Sequence, residues 1–73
     1  MKVVSLKRNL TEIHKANGGV ILVSYSTPVA ASTPDGFIRT NKHYSKTTTA
    51  HINKWLGGRN AENVDQSVLD GML

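Results

Sequence analysis

The run Val20-Ile21-Leu22-Val23-Ser24-Tyr25 limits this chain more than any other segment. It is β-branched and aromatic, which suits a pleated strand. Asn17-Gly18-Gly19 stands directly before it. Asn-Gly between apolar segments is a strong hairpin signal, because the tight turn it favours needs positive φ at its central residues. Thr11-Glu12-Ile13-His14-Lys15 is therefore the expected first strand of a hairpin. A second pattern competes with it. Leu6, Leu10 and Ile13 recur at i, i+4 and i+7, with Ser5 ahead and Asn17-Gly18 behind, which also reads as a capped amphipathic helix. Residues 5–16 thus stand open between helix and strand, and the hairpin is preferred.

Beyond the run, Pro28 removes a backbone donor, so the chain bends or bulges there or lies on a sheet edge. Val29-Ala30-Ala31 continues extended, and Thr33-Pro34-Asp35-Gly36 is a turn in which proline fixes φ and glycine accepts the exit. Phe37-Ile38-Arg39-Thr40 leaves it as another strand. The spacing predicts a helix over about 45–56: Ser45 or Thr47 caps it, Thr48, Ile52, Trp55 and Leu56 form one stripe, and Gly57 stops it. Val64, Val68, Leu69, Met72 and Leu73 form a further stripe, expected as a short C-terminal helix over about 62–72. The expected fold is α+β: a three-stranded antiparallel meander with one packed helix and a short C-terminal helix, in a single small domain over residues 1–73. Ile21, Val23, Ile38, Ile52, Trp55 and Leu56 are expected to share one interior.

Composition narrows the function. At 73 residues with no cysteine, the chain has no disulfide scaffold, no zinc finger and no thiol nucleophile. A domain this size buries only about 60% of the surface its unfolded chain exposes, so self-association into a homo-oligomer is expected to supplement the core. Val20 to Val23 is too short an apolar run for a membrane span or a signal-peptide core, which points to the cytoplasm and away from a membrane. The formal charge is +4, and it is unevenly placed. Residues 1–59 hold all nine Lys and Arg with only Glu12 and Asp35 against them, while residues 60–73 hold Glu62, Asp65 and Asp70 and no base. A basic body suits an anionic partner such as nucleic acid or a nucleotide.

No catalytic, cofactor or metal site is legible. His14, His43 and His51 lack the i, i+4 spacing of a helical metal site, and no nucleophile elbow, P-loop or dinucleotide fingerprint occurs. His51, adjacent to the buried stripe, is expected to be a hydrogen-bonded structural histidine, and Trp55 a core residue. The segment Arg39, Thr40, Asn41, Lys42, His43, Tyr44 and Lys46 crowds basic, amide, hydroxyl and aromatic groups between the last strand and a helix start. That mixture suits phosphate contact. Arg39, Lys42, His43 and Lys46 are therefore the candidate anion-binding residues, extended by Lys7, Arg8 and Lys15, with Tyr25 and Tyr44 as stacking platforms.

Two blocks carry a resemblance. Val23-Ser24-Tyr25-Ser26-Thr27-Pro28-Val29-Ala30-Ala31, followed by Tyr44-Ser45-Lys46-Thr47-Thr48-Thr49-Ala50-His51-Ile52-Asn53-Lys54-Trp55-Leu56, resembles a family of small uncharacterised proteins of bacteriophages and mobile elements. The resemblance covers roughly residues 17–73 and implies a phage or prophage origin and a bacterial host cell; it supplies no activity and no functional residue set. The expected three-stranded sheet with a following helix is also similar to the arm-binding domains of phage-type integrases and to plant AP2-like DNA binders, which set the sheet in the major groove. The function expected from these readings is a non-enzymatic binding module for nucleic acid. Alternatives are an inhibitor or sponge of host defence that binds a host protein or a nucleotide signal, and an oligomeric assembly accessory docking through Val64, Val68, Leu69 and Met72.

Overall fold

The computed structural model describes residues 1–73. The chain runs β1 (Lys2–Lys7), β2 (Leu10–His14), β3 (Val20–Ser24), β4 (Thr27–Thr33), β5 (Gly36–Thr40), α1 (Lys46–Leu56), β6 (Ala61–Val64) and α2 (Gln66–Asp70). The six strands form one sheet in sequence order. β1 to β5 are an antiparallel meander, and β6 lies parallel to β5. A parallel neighbour cannot be reached by a tight turn, so α1 serves as the crossover between β5 and β6. The expected three-stranded meander is thus corrected to a six-stranded mixed sheet; the fold remains α+β.

Strand β3 explains the architecture. Ile21, Leu22, Val23 and Ser24 are all buried, which alternation would forbid if one sheet face met water. Both faces are covered. On one side Leu22 packs with Leu10, Val29, Ala30, Ile52 and Leu56, so α1 lies across this face. On the other, Ile21, Val23 and Ala31 pack with Leu69, and Ile38, Val64 and Met72 close around them, so α2 covers that face. The single interior expected from the sequence is therefore two, divided by the sheet: Ile21, Val23 and Ile38 face α2, while Ile52, Trp55 and Leu56 face away from them. The C-terminal stripe is mostly spent inside the molecule, and only Val68 of its four expected docking residues lies exposed.

Local chemistry sets each boundary. Residues 5–16 are a strand, a turn and a strand, so the helical spacing of Leu6, Leu10 and Ile13 is accidental. Lys15 to Gly19 form the loop between β2 and β3, with Gly18 at φ 90° and Gly19 N–H donating to Asn17 Oδ1 at 2.9 Å. Pro28 sits at a bulge: Leu22 pairs with Ala30 and Val23 with Pro28, which leaves Val29 without a partner on β3. The extra residue places Val29 and Ala30 in the same interior, and a proline is tolerated in an inner strand where the ladder is already interrupted. α1 begins as expected, with Ser45 Oγ accepting from Thr48 N–H, and ends at Gly57, whose φ of 61° favours glycine. The C-terminal helix is shorter than the expected 62–72, because residues 61–64 are spent on β6 and Asp65 caps what remains. No helix is long and apolar enough to cross a membrane.

Candidate nucleic-acid and anion interface

The antiparallel order sends the turns alternately to the two ends of the sheet. The β1–β2 turn, the β3–β4 turn and the chain leaving β5 all lie at one end. Tyr25 N–H donates to Asn9 O at 2.7 Å, which ties the first two turns together, and Asn41 N–H donates to Val64 O at 2.9 Å, which fixes the third segment beside β6. This end therefore gathers Lys7 and Arg8, then Tyr25, then Lys42, His43, Tyr44 and Lys46, the residues singled out by their chemistry in the sequence. Lys15 is not among them. It belongs to the opposite end, where its ammonium donates to Met72 O at 2.8 Å.

Between β5, α1 and β6 this end opens into a cavity of about 300 Å³ lined by Arg39, Asn41, Lys42, His43, Thr49 and Asn63, among others. Arg39 is placed by strand alternation on the α1 side of β5, where its guanidinium donates to Asn53 Oδ1 at 3.1 Å. Alternation turns it away from the interior that Ile38 joins, but the face it points to is not open: α1 covers it, and Arg39 is half-buried. His43 Nδ1 and Thr49 Oγ1 lie 3.3 Å apart, and Lys42 Nζ sits 5.2 Å from the centre of the Tyr44 ring. Tyr25 and Tyr44 are 58% and 38% exposed, so both rings present a face to solvent. Tyr25 also holds φ at 59°, an uncommon conformation for a bulky residue, at the tip of the two-residue β3–β4 turn.

The electrostatics are one-sided. The only ion pair in the structure joins His14 and Glu12, so none of the nine Lys and Arg has a carboxylate within 4.0 Å. Their side chains meet neutral partners instead, as with Arg39 on Asn53, Lys15 on a carbonyl, Lys42 over Tyr44 and Arg59 over Phe37. Cations in this state are available to an anion at no cost of breaking an existing pair.

The three histidines lie apart and each has a local partner. His14 Nε2–H donates to Glu12 Oε1 at 3.0 Å, and His51 Nδ1 lies 3.3 Å from Ser24 Oγ. Ser24 also meets Thr48 Oγ1 at 3.3 Å. Ser24 and Thr48 are 2% and 4% exposed, so this hydroxyl cluster holds α1 to β3 and offers no reachable nucleophile. No three His, Asp or Glu side chains come together in a metal-binding group. Sequence reasoning passed over two residues. Glu12 accepts from both Trp55 and His14, and the Trp55 bond above all holds its carboxyl below the usual carboxylate range. Lys54 approaches Lys7 closely enough that its like-charged side chain pushes the Lys7 ammonium below the usual lysine range. The signal for the first was its place as one of only two acids among residues 1–59; the second had none, since the two lysines are remote in sequence.

The family described as "Family of unknown function (DUF8033)" matches residues 1–71. The chain belongs to that family. The match takes in every strand and both helices, including the first two strands that the sequence blocks at residues 17–73 leave out. No curated protein and no solved structure matches the chain.

Proposed function

We propose that this protein is a non-enzymatic binding module for nucleic acid, acting through the end of the sheet that carries Lys42, His43, Tyr44 and Lys46. The observation that carries the reading is the absence of any carboxylate within 4.0 Å of a Lys or Arg, combined with the placement of Lys42, Lys46, Lys7 and Arg8 at the same end of the sheet as two exposed tyrosine rings. Phosphates would meet Lys42, Lys46 and Arg39, with Lys7 and Arg8 on the neighbouring turn, while Tyr25 and Tyr44 supply flat faces for unpaired bases. The sheet itself takes no part in reading a groove, because α1 and α2 occupy its two faces. Recognition by loops and exposed rings favours single-stranded over duplex targets.

Fluorescence anisotropy with a labelled single-stranded oligonucleotide at graded salt tests this. Affinity should fall log–log with a slope of about −0.7 per neutralised phosphate. Lys42→Ala with Lys46→Ala, both at exposed positions without a hydrogen-bonded role, should shallow the slope by about 1.4. An affinity indifferent to salt removes the proposal.

One observation favours a second reading. A cavity of about 300 Å³ stands at the small end of the range for small-molecule sites, and its polar lining suits one nucleotide. A mononucleotide that binds as tightly as an oligonucleotide would favour the nucleotide-signal sponge over the nucleic-acid module.

A further inference from the structure

We propose that the cleft between α1 and the β1–β2 hairpin is a binding site for a small carboxylate carried on a single apolar six-membered ring. Leu6 and Leu10 on the hairpin and Trp55 on α1 form its apolar wall, Lys7 and Lys54 stand beside them, and His51 completes the lining. The cleft measures about 140 Å³. A cavity of about 150 Å³ lined by aliphatic and aromatic side chains accommodates one benzene ring, so the volume matches a single ring.

The charge argument is separate from the size argument. Lys7 and Lys54 come from different elements, and neither has a carboxylate within 4.0 Å. Two ammonium groups close enough to perturb each other, with no counter-charge, are an arrangement that a bound anion relieves. Glu12 pairs with neither lysine: its oxygens accept from Trp55 and His14, and no lysine nitrogen lies within 4.0 Å of them. The same bond occupies the indole N–H, so Trp55 offers the cleft its hydrocarbon surface. A bare inorganic anion would leave the Leu6–Leu10–Trp55 wall wet. A neutral ring would leave the lysines uncompensated. A ring bearing a carboxylate answers both.

This inference does not rest on nucleic-acid binding, and Lys7 is the one residue common to the two. Trp55 is the only tryptophan, so its emission reports the cleft directly. Titration of the full chain with cyclohexanecarboxylate, which is transparent at the exciting wavelength, should give a saturable change with a Kd of about 1 mM or tighter. Acetate, inorganic phosphate and cyclohexylmethanol should each bind at least about tenfold more weakly. Lys54→Met should weaken binding at least about tenfold while Lys54→Arg stays within about threefold, with circular dichroism confirming that both remain folded. If Lys54→Met does not fold, Lys7→Met takes its place. A response that fails to saturate by about 10 mM, or equal binding of acetate or phosphate, or unchanged binding by the methionine variant, overturns the proposal.

Discussion

Trp55 on α1 donates its indole N–H to Glu12 Oε2 on β2 across 2.6 Å, the side-chain hydrogen bond that joins the crossover helix to the N-terminal hairpin. The ring is further fixed by an edge-on contact with Phe37 on β5, their centroids 5.7 Å apart. Helix, hairpin and inner sheet are thus referenced to one indole.

The Glu12 carboxyl is held below its ordinary value of 4.5, first by the Trp55 bond and then by His14. A group whose folded value is depressed contributes stability that is present above the unfolded value and lost as pH falls through the folded one. Acid unfolding followed by tryptophan emission should therefore steepen below about pH 4.5. Glu12→Gln, which keeps an oxygen acceptor but no charge, should cost about 1–2 kcal/mol at neutral pH and flatten that acid limb.

Leu69 on α2 is fully buried against Ile21, Val23 and Ala31. Leu69→Ala should destabilise by about 2–5 kcal/mol, a large part of the ~5–15 kcal/mol that holds a small domain together. Urea denaturation measures it. A loss under ~1 kcal/mol would mean that α2 is not seated on the sheet in solution.

How much of this arrangement the sequence made legible depended on burial. β3, the turn at Thr33–Gly36 and α1 were readable because each combines a strong pattern with its own start or stop residue. β1 was not, since five of its six residues are exposed on a sheet edge and carry no inward alternation. β6 overlaps the start of the helix expected over 62–72, because a short outer strand paired in parallel needs no apolar run of its own. The second interior is hidden for a related reason: a sheet buried on both faces shows an unbroken apolar strand, and Ile21-Leu22-Val23 does not by itself say which residues meet α1 and which meet α2. For the site, the segment from Arg39 to Lys46 was legible because contiguous residues stay contiguous in space. Lys7 with Lys54, and Glu12 with Trp55, could be joined only by the pairing of β1, β2 and α1.

Thr48 Oγ1 lies within 3.3 Å of both Ser24 Oγ and Ser45 Oγ in a buried setting. Thr48→Val keeps the shape and removes the hydroxyl, leaving those partners short of a bond. The expected cost is about 1–3 kcal/mol, read by thermal unfolding.

Tyr25 combines an exposed ring with φ at 59°, a conformation Asn adopts with less strain. Tyr25→Asn should leave stability unchanged or raise it by up to about 1 kcal/mol while weakening single-stranded oligonucleotide binding by about 1–3 kcal/mol. Opposite movement of the two quantities separates a ring kept for contact from one kept for packing.

The lack of acidic partners around the nine Lys and Arg reaches beyond recognition. With few attractive pairs to weaken and a formal charge of +4, the folded chain carries net self-repulsion, which counter-ions screen over a Debye length of about 8 Å at physiological ionic strength. Raising ionic strength should thus lift the melting temperature while it loosens the grip on any polyanion. The medium in which the molecule is most robust is the one in which it would hold the proposed polyanion least.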